Sequence, residues 1–94
     1  MTKELAKNIE QEALDRYGIE AQEMMLFEEC GELINALAKL HRKRANHLDL
    51  ITELADVSIM IDQMALYYGE DLFEKERERK LLRLNDRMKM NDKH

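Results

Sequence analysis

No proline interrupts this sequence, tryptophan is absent, and only three glycines occur in its 94 residues. A chain with so few backbone breakers, built mainly from Leu, Met, Ala, Glu, Lys and Arg, has the composition of long helices with few interruptions, and an all-α fold follows. A single cysteine, Cys30, excludes an internal disulfide framework and any Cys-x-x-Cys pair for zinc or redox work; it reads as a small apolar core residue. No stretch approaches the roughly 18 consecutive apolar residues of a membrane span. The opening Met-Thr-Lys-Glu-Leu-Ala-Lys has no apolar centre of the kind a signal peptide needs, so the expectation is a soluble, cytoplasmic protein with no membrane partner. Glycine-rich phosphate loops, a Gly-x-Ser-x-Gly elbow and Cys/His zinc spacings are all missing, which leaves nucleophilic and P-loop chemistry without candidate residues. His41 and His47 have no carboxylate three residues before them, so the Glu-x-x-His pattern of di-iron bundles is missing too.

Hydrophobic residues make up 45% and charged residues 37%, which is enough apolar material for a core and too much for a disordered tail. Acidic residues outnumber basic ones by 20 to 15, a balance that repels nucleic acid and draws cations to any acidic cleft. The length is that of one domain, 1–94, and a domain this small buries only a modest fraction of its surface, so packing against a second copy is expected.

Gly18 after Tyr17 and Gly69 after Tyr68 each end an apolar-periodic run as helix C-caps do. They predict four helices, over about residues 2 to 17, 20 to 45, 49 to 68 and 71 to 89, with Asn46, His47 and Leu48 as the remaining loop. Asp49 is the expected N-cap of the third helix, and Asp71 with Glu74 has capping-box spacing for the fourth. Gly31 lies inside the second helix, where it costs about 1 kcal/mol against Ala; close helix approach or ligand access would account for it.

The second helix carries an apolar stripe at Leu26, Cys30, Leu33, Leu37 and Leu40, with Glu29 at its edge and Glu32 beside Met25. In the third, Leu50, Leu54, Val57, Ile61, Met64 and Tyr68 face one way and Ala55, Ile59 and Leu66 the other. This helix is therefore apolar nearly all round and should be the central one, yet Glu53 and Asp56 sit within its apolar sectors. Carboxylates so placed must be paired, protonated or bound to a metal. Residues at i and i+3 share a helix face, so Glu29 with Glu32, and Glu53 with Asp56, present two carboxylates each, and two such helices face to face build an all-oxygen cage. Oxygen-only ligands suit Mg²⁺, Mn²⁺ or Ca²⁺, and Mg²⁺ keeps waters and bridges to substrate phosphates. Against this stands the reading of the same residues as solvated or salt-bridged, since acid-rich chains yield such spacings by chance. Glu28 lies further toward solvent. The fourth helix carries Lys80, Arg83 and Arg87 beside an apolar edge, as a phosphate-facing strip or as a solvated face with pairs such as Glu76 with Arg79. The Lys39, Arg42, Lys43, Arg44 cluster is explained by the dipole at the end of the second helix.

At Glu28-Glu29-Cys30-Gly31-Glu32-Leu33, followed by Glu53-Leu54-Ala55-Asp56-Val57, the sequence resembles the MazG-like all-α nucleoside triphosphate pyrophosphohydrolases, whose mark is Glu-x-x-Glu on one helix and Glu-x-x-Asp on the next. Neighbouring words agree as well: Ala21-Gln22, Leu37-Ala38-Lys39 and Ile59-Met60-Ile61-Asp62-Gln63. The likeness spans roughly residues 17 to 87 and is greatest to short, single-domain members. It implies cleavage of a nucleoside triphosphate between its α and β phosphates to a monophosphate and pyrophosphate, often as housecleaning of the nucleotide pool. It implies, position by position, Mg²⁺, with Mn²⁺ as substitute, on Glu29, Glu32, Glu53 and Asp56, with one glutamate orienting the attacking water. Lys80, Arg83 and Arg87, and more remotely Lys39, would contact the phosphates. A homodimer or homotetramer, with the bundle completed between chains, is implied too. The reading from a different class is a non-enzymatic helical oligomer, an adaptor or a nucleotide- or metal-binding regulatory protein.

Overall fold

The computed structural model describes residues 1–43 and 45–92. These form four helices, α1 (Lys3–Tyr17), α2 (Ile19–His41), α3 (His47–Tyr68) and α4 (Glu70–Asp92), with no strand among the described residues. The expected all-α four-helix bundle is the architecture found.

Single glycines join α1 to α2 and α3 to α4. Gly18 has φ +85° and Gly69 φ +134°, backbone conformations that strain any L side chain, and their amides donate to Leu14 O and Ala65 O at 2.9 Å each. Thr2 caps α1 by accepting from the Leu5 amide at 3.1 Å.

Several boundaries differ from the sequence reading. The second helix stops at His41, not near residue 45, because Lys43 takes φ +60° and turns the chain out of the helix with no glycine to announce it. Arg44, expected in the basic cluster at that end, lies outside the described residues. The third helix starts at His47, and its cap is Asn46: the Asn46 side chain accepts from the Asp49 amide at 3.2 Å, while the Asn46 amide donates to the Asp49 carboxylate at 3.4 Å. Asp49 is thus the third-position half of a capping box, and His47 and Leu48 are helical rather than loop. The fourth helix begins at Glu70, directly after Gly69, which puts Asp71 inside its first turn instead of ahead of it.

α3 packs on each of the other three helices and is the central element, as its all-round apolar character requires. α2 and α3 form an antiparallel hairpin across the short 42–46 connection. The buried apolar set is small: Leu14, Ala36, Val57, Met60 and Ala65. Cys30 is half-buried. The side of α3 that meets the bundle carries Val57, Met60 and Gln63, all buried, with Glu53 and Asp56 half-buried beside them, while Leu54, Ile61 and Tyr68 are exposed. α2 lies against the carboxylate-bearing side. Large apolar side chains are left uncovered on α2 and α3 alike, among them Phe27 at 74%, Ile34 at 69% and Ile51 at 58% exposure. Beyond Phe73 every described side chain of α4 is exposed, and that helix touches only α3 by backbone proximity.

Candidate metal centre

Helical periodicity brings Glu29 of α2 to Glu53 and Asp56 of α3. One carboxylate oxygen from each lies within 4.8 Å of the others, and all three residues are half-buried. The span is about twice the metal–oxygen distance of ~2.0–2.6 Å at Mg²⁺ and Ca²⁺ sites. Glu29 Oε2 and Glu53 Oε2 are the buried side-chain oxygens that have no hydrogen-bond partner among the described residues. None of the ion pairs there, Lys7–Glu70, Arg16–Glu12 and Arg79–Glu76, reaches them.

This geometry bears on the two readings of the carboxylates. A structural role would require a Lys or Arg partner, and none pairs with them among the described residues. An unpartnered buried carboxylate is instead protonated or cation-bound. The protonation tendency is visible. Loss of hydration raises the Glu29 carboxyl above its ordinary pKa, and the charges of Asp56, Glu32, Glu53 and Glu28 raise it further. Glu53 is raised likewise, first by loss of hydration, then by the charges of Glu32 and Asp56, by the closeness of the Glu32 carboxyl, and by Asp49. No family model, curated protein or solved structure matches this chain. The donor set is three carboxylates with no sulfur or imidazole, which fits a hard dication such as Mg²⁺ or Mn²⁺ and excludes a site built for soft metals.

The other sequence-predicted residues divide. Glu32 is exposed and outside the convergent three, although it bears on Glu53. Together with Asn35, Lys39, Asp49, Thr52 and Glu53 it lines a cleft of about 440 Å³ between the C-terminal half of α2 and the start of α3. Lys39, the weaker of the phosphate candidates, is thus, among the described residues, the cation that lines this cleft with Glu32 and Glu53. Lys80, Arg83 and Arg87 lie on the exposed stretch of α4, which packs on neither α2 nor the carboxylate-bearing part of that hairpin. Arg79 pairs with Glu76 at 2.9 Å, the solvated pairing anticipated for that face. Glu28 is exposed. Gly31 mediates no close approach within the chain: a Cβ there would meet nothing within 4 Å, and the residue borders an open surface cleft with Glu28, Glu32 and Asn35.

Sequence reasoning missed a buried polar contact on the same two helices, about two turns from this centre. Gln22 donates from Nε2 to Oε1 of Gln63 at 2.6 Å, joining α2 to α3, and the two residues are 7% and 4% exposed. The signal was available, since Gln22 precedes Glu29, and Gln63 follows Asp56, by seven residues in each case.

Proposed function

We propose that this protein is a Mg²⁺-dependent nucleoside triphosphate pyrophosphohydrolase of the MazG-like kind, converting a (d)NTP to the (d)NMP and pyrophosphate in the service of nucleotide-pool housecleaning. One observation carries the reading: Glu29, Glu53 and Asp56 converge from two antiparallel helices with two buried carboxylate oxygens unpartnered. Bound there, Mg²⁺ supplies charge neutralisation for the phosphates and for the charge that develops as the anhydride breaks.

The chain's own residues divide the remaining work. Glu32 is exposed beside Glu53 and outside the convergent set, so its carboxylate is free to orient the attacking water and take its proton. Lys39, in the same cleft, meets an anionic substrate. Lys80, Arg83 and Arg87 project from a stretch of α4 without neighbours in its own chain, so their phosphate role belongs to an oligomer in which that stretch reaches another chain's cleft. The uncovered Phe27, Ile34, Ile51 and Leu54 support such a homodimer or homotetramer.

The test is product identification after incubation with a panel of standard and modified NTPs and dNTPs and Mg²⁺. Pyrophosphate with monophosphate is the expected pair, and release of single phosphates overturns the reaction class. The same exposed apolar faces favour the second reading, a non-enzymatic helical adaptor, and absence of product from every substrate would select it.

A further inference from the structure

Two buried amides occupy the seam between the helices that carry the carboxylates. An unpaired amide in such a place costs free energy that an apolar side chain of similar size would not, so a buried Gln–Gln bond is a poor source of stability and a good source of specificity. Its position suggests what it specifies. Gln22 lies seven residues before Glu29 on α2, and Gln63 seven residues after Asp56 on α3. Seven residues are about two turns, or roughly 10.5 Å of rise, and return nearly to the same face of a helix. On antiparallel helices equal displacements from a bonded pair arrive at opposed residues. The 2.6 Å contact between Gln22 and Gln63 therefore dictates that Glu29 stands opposite Asp56.

The rest of the seam lacks this information. Half-buried Leu26, Leu33 and Leu40 on α2 and buried or half-buried Val57, Met60 and Met64 on α3 are similar apolar groups, two of them flexible methionines, and such groups tolerate sliding. The three carboxylates, without a cation, repel one another and push toward such a slide. A buried polar pair resists it, because moving one helix by a turn breaks the amide–amide bond and leaves Gln63 only its weak contact with Met60 Sδ at 3.9 Å, the same device by which a buried Asn sets register in coiled coils.

We infer that Gln22 and Gln63 are positioning residues that lock the α2–α3 register and so assemble the Glu29, Glu53 and Asp56 centre. The function of the lock rests on the reading of those carboxylates as a metal site, while the lock itself does not. The variant Gln22→Met/Gln63→Met keeps the length and flexibility of both side chains and removes the bond. Two measurements are made on it and on the wild type. The first is Mn²⁺ binding, read from the free-ion paramagnetic resonance signal. The second is the distance between spin labels at the exposed positions Ile34 and Ser58, with the labelled protein diluted in unlabelled protein. The expected result is a folded variant, melting no lower than the wild type, whose Mn²⁺ dissociation constant rises tenfold or more. Its label distance should broaden or acquire a second population displaced by about one turn, ~5.4 Å. Wild-type label distances in the variant would overturn the register lock whatever the metal result. A wild type that binds no Mn²⁺, beside a variant with shifted distances, would retain the lock and remove the metal reading. A double variant that does not fold would also overturn the inference, since the amides would then sustain the fold as a whole and not its register.

Discussion

Replacing Glu53 by Gln keeps the side chain's shape, deletes one of three convergent ligands and removes a charge from a cluster whose oxygens lie within 4.8 Å of one another. In the metal-free protein the buried Glu53 Oε2 has no partner and the neighbouring acids raise its pKa, so neutralising it relieves repulsion without orphaning any cation. The variant should melt at the wild-type temperature or above it. With Mg²⁺ the order reverses. At a free concentration of a hundred times the wild-type Kd, binding stabilises the native state by about 2.7 kcal/mol. If losing one ligand weakens binding by about 10- to 100-fold, the same Mg²⁺ concentration stabilises the variant by only about 0.4–1.4 kcal/mol. For a domain of this size each kcal/mol is worth about 4–8 °C in Tm, so the gap is easily read by calorimetric or circular-dichroism melts with and without Mg²⁺. Proton competition gives a second handle. Glu29 and Glu53 hold protons more tightly in the fold than in the unfolded chain, so Mg²⁺ must displace them, and its affinity should fall as pH is lowered. A variant destabilised without metal, beside a wild type indifferent to Mg²⁺, would refute the metal centre.

Arg83→Ala should lower kcat/KM for the triphosphate tenfold or more while leaving Mn²⁺ binding and helix content unchanged, and steady-state kinetics equal to wild type would return the α4 strip to a solvated face. Light scattering at micromolar concentration should find a dimer or tetramer, because Phe27, Ile34, Ile51 and Leu54 lie uncovered in one chain; a folded monomer would count against assembly. Asn46→Ala removes the side-chain half of the capping box at the start of α3, leaving the backbone amide's bond to Asp49, and should cost about 0.5–2 kcal/mol in denaturant unfolding. Glu10 is raised to about 7 by loss of hydration and by the charge and contact of Asp62, with Glu70 adding to it. The folded state thus holds a proton there that the unfolded state releases near 4.5. Its contribution is complete below pH 4.5 and lost as pH climbs through 7, on the order of 1 kcal/mol after solvent screening. Glu10→Gln should flatten that part of the stability–pH curve, and an unchanged slope would exclude Glu10 as its source.

Much of this protein was legible in one dimension. The absence of proline, with glycine after Tyr17 and Tyr68, sufficed for an all-helical chain and for the places where α1 and α3 end, because those features act on the backbone locally. The i, i+3 spacing was likewise enough to put Glu53 and Asp56 on one side of α3, and apolar composition alone made that helix central. Other features needed the packed molecule. An all-round apolar helix does not announce which side its neighbour takes, and α2 settled on the side bearing the carboxylates, leaving Leu54 and Ile61 exposed. Equal spacing made Glu29 and Glu32 look equivalent, yet only Glu29 joins the convergent set, since it lies on the face of α2 turned toward α3 while Glu32 stays exposed. Lys39 rather than the α4 cations lies at the cleft because the direction in which α4 leaves Gly69 is a matter of tertiary packing. Local periodicity determines which side chains share a face. The register between two helices, held here by a bond between residues 41 positions apart, determines which faces meet.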